Sequence, residues 1–209
     1  MALTLENEGG VMAKIHPSAQ IDYGANLGSN VVVWANTHIR EDVKIGDNTI
    51  IGEFCYIGPK TIIGKNCKIQ NGVYLYEPSE IEDGVFIGPR VVITNDKNPR
   101  AVNSRGDIKS AADWIPSKTT IQKGASIGAG AVIVSPALIG KWSMVAAGSV
   151  VTRDLQDFAL VAGVPAKQIG WVGKNGYQLI QVSENYFKCP ISDDEYKKID
   201  FHKLEIIKK

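Results

Sequence analysis

The chain has 209 residues, of which 44% are hydrophobic and 22% charged, and a formal net charge of +1. That is room for one large domain, or one domain with an appendage, of ordinary globular composition. The dispersed basic residues and the lack of any apolar run near ~18–20 residues exclude a nucleic-acid or membrane partner as an expectation.

Residues 1–14 form a lead-in. The opening MALTLENEGGVMAKIHP carries acidic residues and no apolar core segment, so it does not read as a secretory signal. Three cysteines, Cys55, Cys67 and Cys189, are too few for a disulfide framework and point to a reducing cytoplasm.

From Ile15 an aliphatic residue recurs every six positions. The series runs Ile15, Ile21, Leu27, Val33, Ile39, Ile45, Ile51, Ile57, Ile63, Ile69, Leu75, Ile81, Ile87, Ile93, without a slip. The residue after it is often glycine, and the residue four after it is small or β-branched, as at Val31, Thr37, Val43, Thr49, Cys55 and Thr61. A period of six fits neither an amphipathic helix nor a hairpin strand. It fits a three-sided prism: each hexad makes a short strand and a corner, and three hexads close a coil of eighteen residues. Strands then pair coil to coil in parallel. Glycine, Asn and Asp at corners are expected to supply positive φ.

Between Ile93 and Ile121 the phase is lost and recovered. The segment TNDKNPRAVNSRGDIKSAADWIPSKTT, rich in Asn, Asp, Ser and Pro, is expected to leave a corner as a protruding loop, about residues 95–119. Long excursions from a rigid scaffold are usually functional, and Trp114 and Ile115 argue against a disordered one. The period resumes through Ile127, Ile133, Ile139, Val145 and Val151, so the β-helix is expected over residues 15–156. Residues 157–209 follow as a closing segment and cap. Within them EYKKIDFHKLEIIKK is expected to form a short amphipathic helix.

The only histidines are His16, His38 and His202. Their spacing gives no convergent set for a metal, so no metal is expected. His38 lies three coils below the loop, ~14 Å at one strand spacing per coil, too far to act as a base there within one chain; contact across a subunit interface stays open. A hydroxyl nucleophile needs such a base. A neutral amine attacks a thioester with orientation and a hydrogen-bond partner alone. Asn95 opens the loop and has the right chemistry for that, although Asn-Asp is equally a turn former.

The hexad pattern resembles the hexapeptide-repeat acyltransferases, which coil left-handed and usually trimerise. The segments KIQNGVYLYEPSEIEDGVFIGPRVVITNDKNPRA and GVPAKQIGW, with a late Cys-Pro, are similar to one branch over roughly residues 14–190. That branch comprises the UDP-2-acetamido-3-amino-2,3-dideoxy-glucuronate N-acetyltransferases and relatives acting on dTDP-3-amino-3,6-dideoxyhexoses. The resemblance implies acetyl-CoA as co-substrate, a homotrimer, and a role in lipopolysaccharide O-antigen or other surface-glycan biosynthesis. It places Asn95 against the sugar amine, with Thr94, Pro99 and Arg100 matching the rest of the motif and Asp96 as a secondary proton acceptor. Gln70, Asn71, Tyr74 and Tyr76 are candidate sugar or uracil contacts, and Arg100 and Arg105 candidate partners for a diphosphate or uronate. CoA is expected along backbone of Gly128, Ala129, Ala131, Ala146, Ala147 and Gly148, with Pro165 and Lys167 near its pantetheine and phosphates. A sugar O-acetyltransferase and a β-helix without catalysis remain as rival readings.

Overall fold

The computed structural model describes residues 3–5, 13–200 and 203–208. The chain winds as a parallel β-helix with three flat faces. The first face carries Ala13–Ile15, Val32–Val33, Ile50–Ile51, Lys68–Ile69, Phe86–Ile87, Ser126–Ile127, Met144–Val145 and Ala159–Ala162. The second carries Gln20–Ile21, His38–Ile39, Tyr56–Ile57, Tyr74–Leu75, Val92–Ile93, Val132–Ile133 and Val150–Val151. The third carries Asn26–Leu27, Lys44–Ile45, Ile62–Ile63, Ser79–Ile81, Thr119–Ile121 and Ala137–Ile139. The expected prism of hexads is therefore the observed one, and its last parallel rung lies just past residue 156.

Partners stand eighteen residues apart, as in Tyr56↔Tyr74 and Ile57↔Leu75. Below and above the loop the interval is forty, with Val92↔Val132 and Ile93↔Ile133 in unbroken register. The period is restored because the coil above stacks on the coil below whatever the length of the excursion between them.

The stepped aliphatics fill the interior. Ile39, Ile51, Ile57, Ile69, Leu75, Ile87, Ile93, Ile121, Ile127 and Ile133 are wholly buried. The small residues four positions on also point inward: Val31, Val43, Cys67, Val73, Val91 and Ala131 are wholly buried beside them. A polar residue at that position must find a partner. Thr49 Oγ1 donates to Gly64 O at 2.8 Å and accepts the Cys67 N–H at 3.1 Å. Burial pushes the thiols of Cys55 and Cys67 up from their ordinary values.

Two kinds of corner residue separate in the structure. Asn30, Asn36, Asp42, Asn48 and Asn66 take positive φ, as expected, but so do Phe54, Lys60, Arg90, Trp142 and Phe158. The glycines just after the aliphatics are not among the positive-φ positions. Gly46 and Gly128 are needed for a different reason: a Cβ on either would come under 3.0 Å from backbone of the next coil. Stacking distance, not φ, selects glycine there.

The ends differ from the sequence reading in one respect. Leu3–Leu5 pairs antiparallel with Ala13–Ile15, so the lead-in adds a strand beneath the first coil. At the other end Ala159–Ala162 turns back onto Lys167–Trp171. The described residues of the tail are not helical. Ile180–Ser183, Tyr186–Lys188, Glu195–Asp200 and Lys203–Lys208 form a four-stranded antiparallel sheet. The segment expected to be an amphipathic helix is its last two strands. Alternation decides it: Tyr196 and Leu204 face inward and join Phe158, Trp171, Leu179, Phe187 and Cys189 in a second small core. Sheet pairing buries these side chains and covers strand edges together, which an isolated helix of that length does not do.

Candidate functional site

Asn95 follows the last strand of the second face before the loop, at the corner where the second face meets the third. Side chains two residues past an aliphatic reach down to the preceding coil. Asp47 Oδ1 accepts the Ser29 N–H, Asn71 Oδ1 accepts the Glu53 N–H and Asp83 Oδ1 accepts the Lys65 N–H. Asn95 does the converse: its Nδ2 donates to Glu77 O at 2.8 Å. A carbonyl only accepts, so this bond fixes the amide orientation. Oδ1 is thereby turned away from Glu77 as an acceptor.

The loop root is pinned around Asn95. Ser117 N donates to Asn95 O at 2.8 Å, Ser135 Oγ donates to Ser117 O at 2.6 Å, and Ser135 N donates to Thr94 Oγ1 at 3.1 Å. Further out, Val102 and Ile108 make an antiparallel bridge, and Ala111–Asp113 form a short 3-10 turn. Ser110 and Asp113 cap that turn reciprocally, with the Ser110 N–H donating to Asp113 Oδ2 at 2.7 Å. Hydrogen bonds from the Ser110 N–H and hydroxyl hold the Asp113 carboxyl below its ordinary value.

Between root and turn lies an open cleft of about 460 Å³ lined by Asn95, Asp96, Arg100, Ala101, Lys109, Ser110 and Trp114. Asp96 spends Oδ1 on the Asn98 N–H at 2.8 Å. Arg100 donates to Pro99 O. Lys109 escaped the sequence reading, and Trp114 entered it only as a sign of an ordered loop, because nothing in a loop sequence says which residues fold back on its root. Ile108 and Ile115 project from the loop, 84% and 90% exposed. Arg105 is paired with Asp107 at 3.3 Å in the outer turn and does not line the cleft.

The other sequence candidates lie elsewhere. Tyr74 is an outward residue of the second face and Tyr76 sits at its end, one coil below Thr94. Gln70 and Asn71 occupy the opposite edge, where the first face turns into the second. That corner, higher up, carries Gly128, Ala129, Ala131, Ala146, Ala147 and Gly148. The Ala131 side chain is buried in the core, so it offers only backbone. Ala129 and Ala147 occupy the position that Asn71 holds lower down, and neither has a side-chain oxygen to cap an amide. Pro165 lies in the turn of the terminal hairpin. Lys167 lines a cavity of about 210 Å³ with Arg153, Asp154 and Gln168. Arg153, a second cation there, was not singled out from sequence.

His38 points outward on the second face and is held by Asp22 (Nε2 to Oδ2, 2.9 Å). Arg40 Nε donates to the same carboxylate at 3.0 Å and to Glu41 at 2.8 Å, and its Nη1 donates to the Tyr56 hydroxyl at 3.1 Å. Hydrogen bonds from Gln20 and then His38 hold the Asp22 carboxyl below its ordinary value. His16 sits in the first coil, hydrogen-bonded to Ser18, and His202 lies outside the described residues.

The bacterial transferase hexapeptide model matches residues 24–59, 60–95 and 118–153, more than half of the chain, and a succinyl-transferase hexapeptide model matches 42–77. The chain belongs to the hexapeptide-repeat transferase family. It is 56% identical over 55 residues to a dTDP-3-amino-3,6-dideoxy-alpha-D-galactopyranose 3-N-acetyltransferase of Aneurinibacillus thermoaerophilus, covering 26% of this chain and 29% of that protein. Less than a third of that relative's length is thus spanned. A hexapeptide-repeat acetyltransferase of Vibrio cholerae, solved with acetyl coenzyme A, is 27% identical with a TM-score of 0.51, covering 71% of each chain. A hexapeptide transferase family protein of Anaplasma phagocytophilum shares the fold, at 20% identity and TM-score 0.50, over 80% of this chain and 84% of that one.

Proposed function

We propose that the protein transfers acetyl from acetyl-CoA to the 3-amino group of a nucleotide-linked amino sugar, with Asn95 positioning the amine. The carrying observation is the orientation of the Asn95 amide. Nδ2 is committed to Glu77 O, which leaves Oδ1 as the half of the amide free to accept from a substrate in the cleft that Asn95 lines. It takes one N–H of the neutral amine and aims the nitrogen lone pair at the thioester carbon. The C–N bond forms and the C–S bond breaks. The excess proton passes to the leaving thiolate or to water, and Asp96 is a secondary acceptor for it. The similarity to a 3-N-acetyltransferase of a nucleotide-linked sugar supports the acceptor class.

The reading includes a homotrimer. The Asn95 corner and the corner of Gly128, Ala129, Ala147 and Gly148 lie on opposite edges of the second face. One groove lined by both needs two chains side by side. The exposed Ile108 and Ile115 supply apolar surface for a neighbour. In that groove CoA runs along the glycine- and alanine-lined corner, where uncapped corner amides suit pantetheine carbonyls. Pro165, Lys167 and Arg153 sit toward its phosphates. Gln70 and Asn71, lower on the same corner, face the acceptor.

Among acceptors, the UDP-linked 3-amino glucuronate is the first to test. Arg100 and Lys109 place two cations in the Asn95 cleft, which suits a uronate carboxylate. A dTDP-3-amino-3,6-dideoxyhexose is the second, favoured by the Aneurinibacillus relative. The three cysteines are free, in keeping with work in a reducing cytoplasm. Among the described residues no helix is long and apolar enough to cross a membrane.

The test is release of CoA thiol from acetyl-CoA across UDP- and dTDP-linked 3-amino and 4-amino sugars, with hydroxyl acceptors alongside. Turnover with a 3-amino sugar is expected. Turnover with a hydroxyl acceptor and none with any amine overturns the reading in favour of O-acetyl transfer.

A further inference from the structure

The second face changes character along its length. Above the level of Asn95 its outward residues are Val132 and Val150. Below it they are Tyr74, Tyr56, His38 and, in the lowest coil, Gln20, and Tyr76 joins them from the corner. The four rings form one continuous array. Tyr74 and Tyr76 stack at 6.5 Å, Tyr76 and Tyr56 lie 5.5 Å apart, and Tyr56 meets His38 edge-on at 6.1 Å. Tyr74 and Tyr76 are 42% and 36% exposed, and the His38 and Arg40 side chains about a third exposed.

The array begins beside Asn95, whose amide is tied to Glu77, next in sequence to Tyr76. It ends at the network of Asp22, His38, Arg40 and Glu41. The distance is three coils, ~14 Å at one strand spacing per coil. Between the 3-amino nitrogen of a nucleotide sugar and its base lie a pyranose ring, a diphosphate and a ribose, a span of comparable length.

The far end is not built for phosphate. Asp22 and Glu41 flank Arg40, so its charge is already answered. It is built to read the edge of a neutral heterocycle. A guanidinium has five N–H donors, and the contacts with Asp22, Glu41 and Tyr56 leave some of them over. Asp22 already accepts from Gln20 on Oδ1 and meets His38 and Arg40 at Oδ2, which leaves about one of the roughly four acceptor sites of a carboxylate, on Oδ1. A uracil or thymine ring offers one N–H flanked by two carbonyls, the complement of that donor and acceptor pair. The tyrosine and imidazole rings offer surfaces for stacking.

Resting on the acetyl-transfer reading, we propose that the lower half of the second face is a pyrimidine-nucleotide wall. The base packs against Tyr56 and His38 with its edge read by Asp22 and Arg40. The sugar and diphosphate lead past Tyr74 and Tyr76 to Asn95. The valines above offer neither hydrogen bonds nor rings, so the nucleotide leads downward and leaves the upper coils to the acyl donor.

The experiment titrates UDP and dTDP calorimetrically into the full chain, with CoA as the control ligand and light scattering to read the oligomer. Tyr56→Leu is expected to weaken the bound nucleotide about ten-fold, the scale of one lost base–aromatic stack. Tyr56→Phe keeps the ring and is expected to stay within about three-fold, and CoA affinity is expected to be unchanged in both. His38→Ala is expected to weaken nucleotide binding in the same direction. Nucleotide affinity unaffected by Tyr56→Leu overturns the proposal. So does loss of CoA binding instead, or failure of both nucleotides to bind the unaltered protein. Dissociation of the oligomer in Tyr56→Leu also overturns it, because the array would then be a contact between copies. Acetyl transfer to an amino sugar with a KM indifferent to Tyr56 rejects the wall and keeps the N-acetyltransferase. Absence of transfer to any amine rejects the latter.

Discussion

Asn95 and Glu77 stand eighteen residues apart and meet at one corner, where the Asn95 Nδ2 donates to the Glu77 carbonyl at 2.8 Å. This single bond separates the two halves of the Asn95 amide into an anchored donor and a presented acceptor. On the proposed acetyl transfer, Asn95→Ala is expected to lower kcat/KM for the amino sugar by about one to two orders of magnitude, with the mass read by light scattering unchanged. The unpaired Glu77 carbonyl costs about 1 kcal/mol of stability. Asn95→Asp is expected to be no better, since a carboxylate cannot donate to Glu77. Steady-state kinetics with unchanged kcat/KM would remove Asn95 from the mechanism.

If the free amine is the nucleophile, activity falls at low pH with the amine's own ionisation. Asp96→Asn is expected to leave the position of that pH profile in place. A profile that moves with Asp96 would make it a general base.

The loop turn depends on an ionised carboxylate. The Asp113 carboxyl is held below its ordinary value, so its contribution is fully present above the unfolded-state value. It is lost as pH falls through the lower folded value. At neutral pH Asp113→Asn is expected to loosen the turn, read as faster amide exchange at Ser110 and Ala112 with the β-helix unaffected. Equal protection in both proteins would show that the cap does not order the loop.

Two glycines of one corner, Gly128 and Gly130, are expected to behave differently. Gly128→Ala places a Cβ under 3.0 Å from the Ala147 backbone, whereas Gly130→Ala meets nothing within 4 Å and suffers only its positive φ. The second is expected to cost about 1–2 kcal/mol, and the first more, because two coils must separate. Chemical denaturation ranks them, and the reverse order would refute the stacking argument.

Thr49 and Thr61 are both buried at the small inward position, but only Thr49 has hydrogen-bond partners for its hydroxyl. Thr49→Val is expected to destabilise by about 2–4 kcal/mol, leaving a carbonyl and an amide unanswered. Thr61→Val is expected to be neutral or stabilising by about 1 kcal/mol. A comparison of unfolding midpoints decides it.

The scaffold is legible in the chain alone. An unbroken step of six from Ile15 to Ile93 needs no tertiary information, because every hexad repeats the same local choice between core, corner and strand. It also showed where the step fails, and Asn95 stands at that failure. Tertiary structure decided what coil stacking brings together. Glu77 lies under Asn95 because eighteen residues make one coil, and Lys109 and Trp114 join the cleft because the loop folds back on its root. It also put the Asn95 corner and the Gly128 corner on different edges of one face. The tail went astray for the same reason: EYKKIDFHKLEIIKK satisfies a helix or two strands locally. Only the partners it finds, Phe158 and Trp171 packed with Tyr196 and Leu204, make strands the arrangement that buries its apolar side chains.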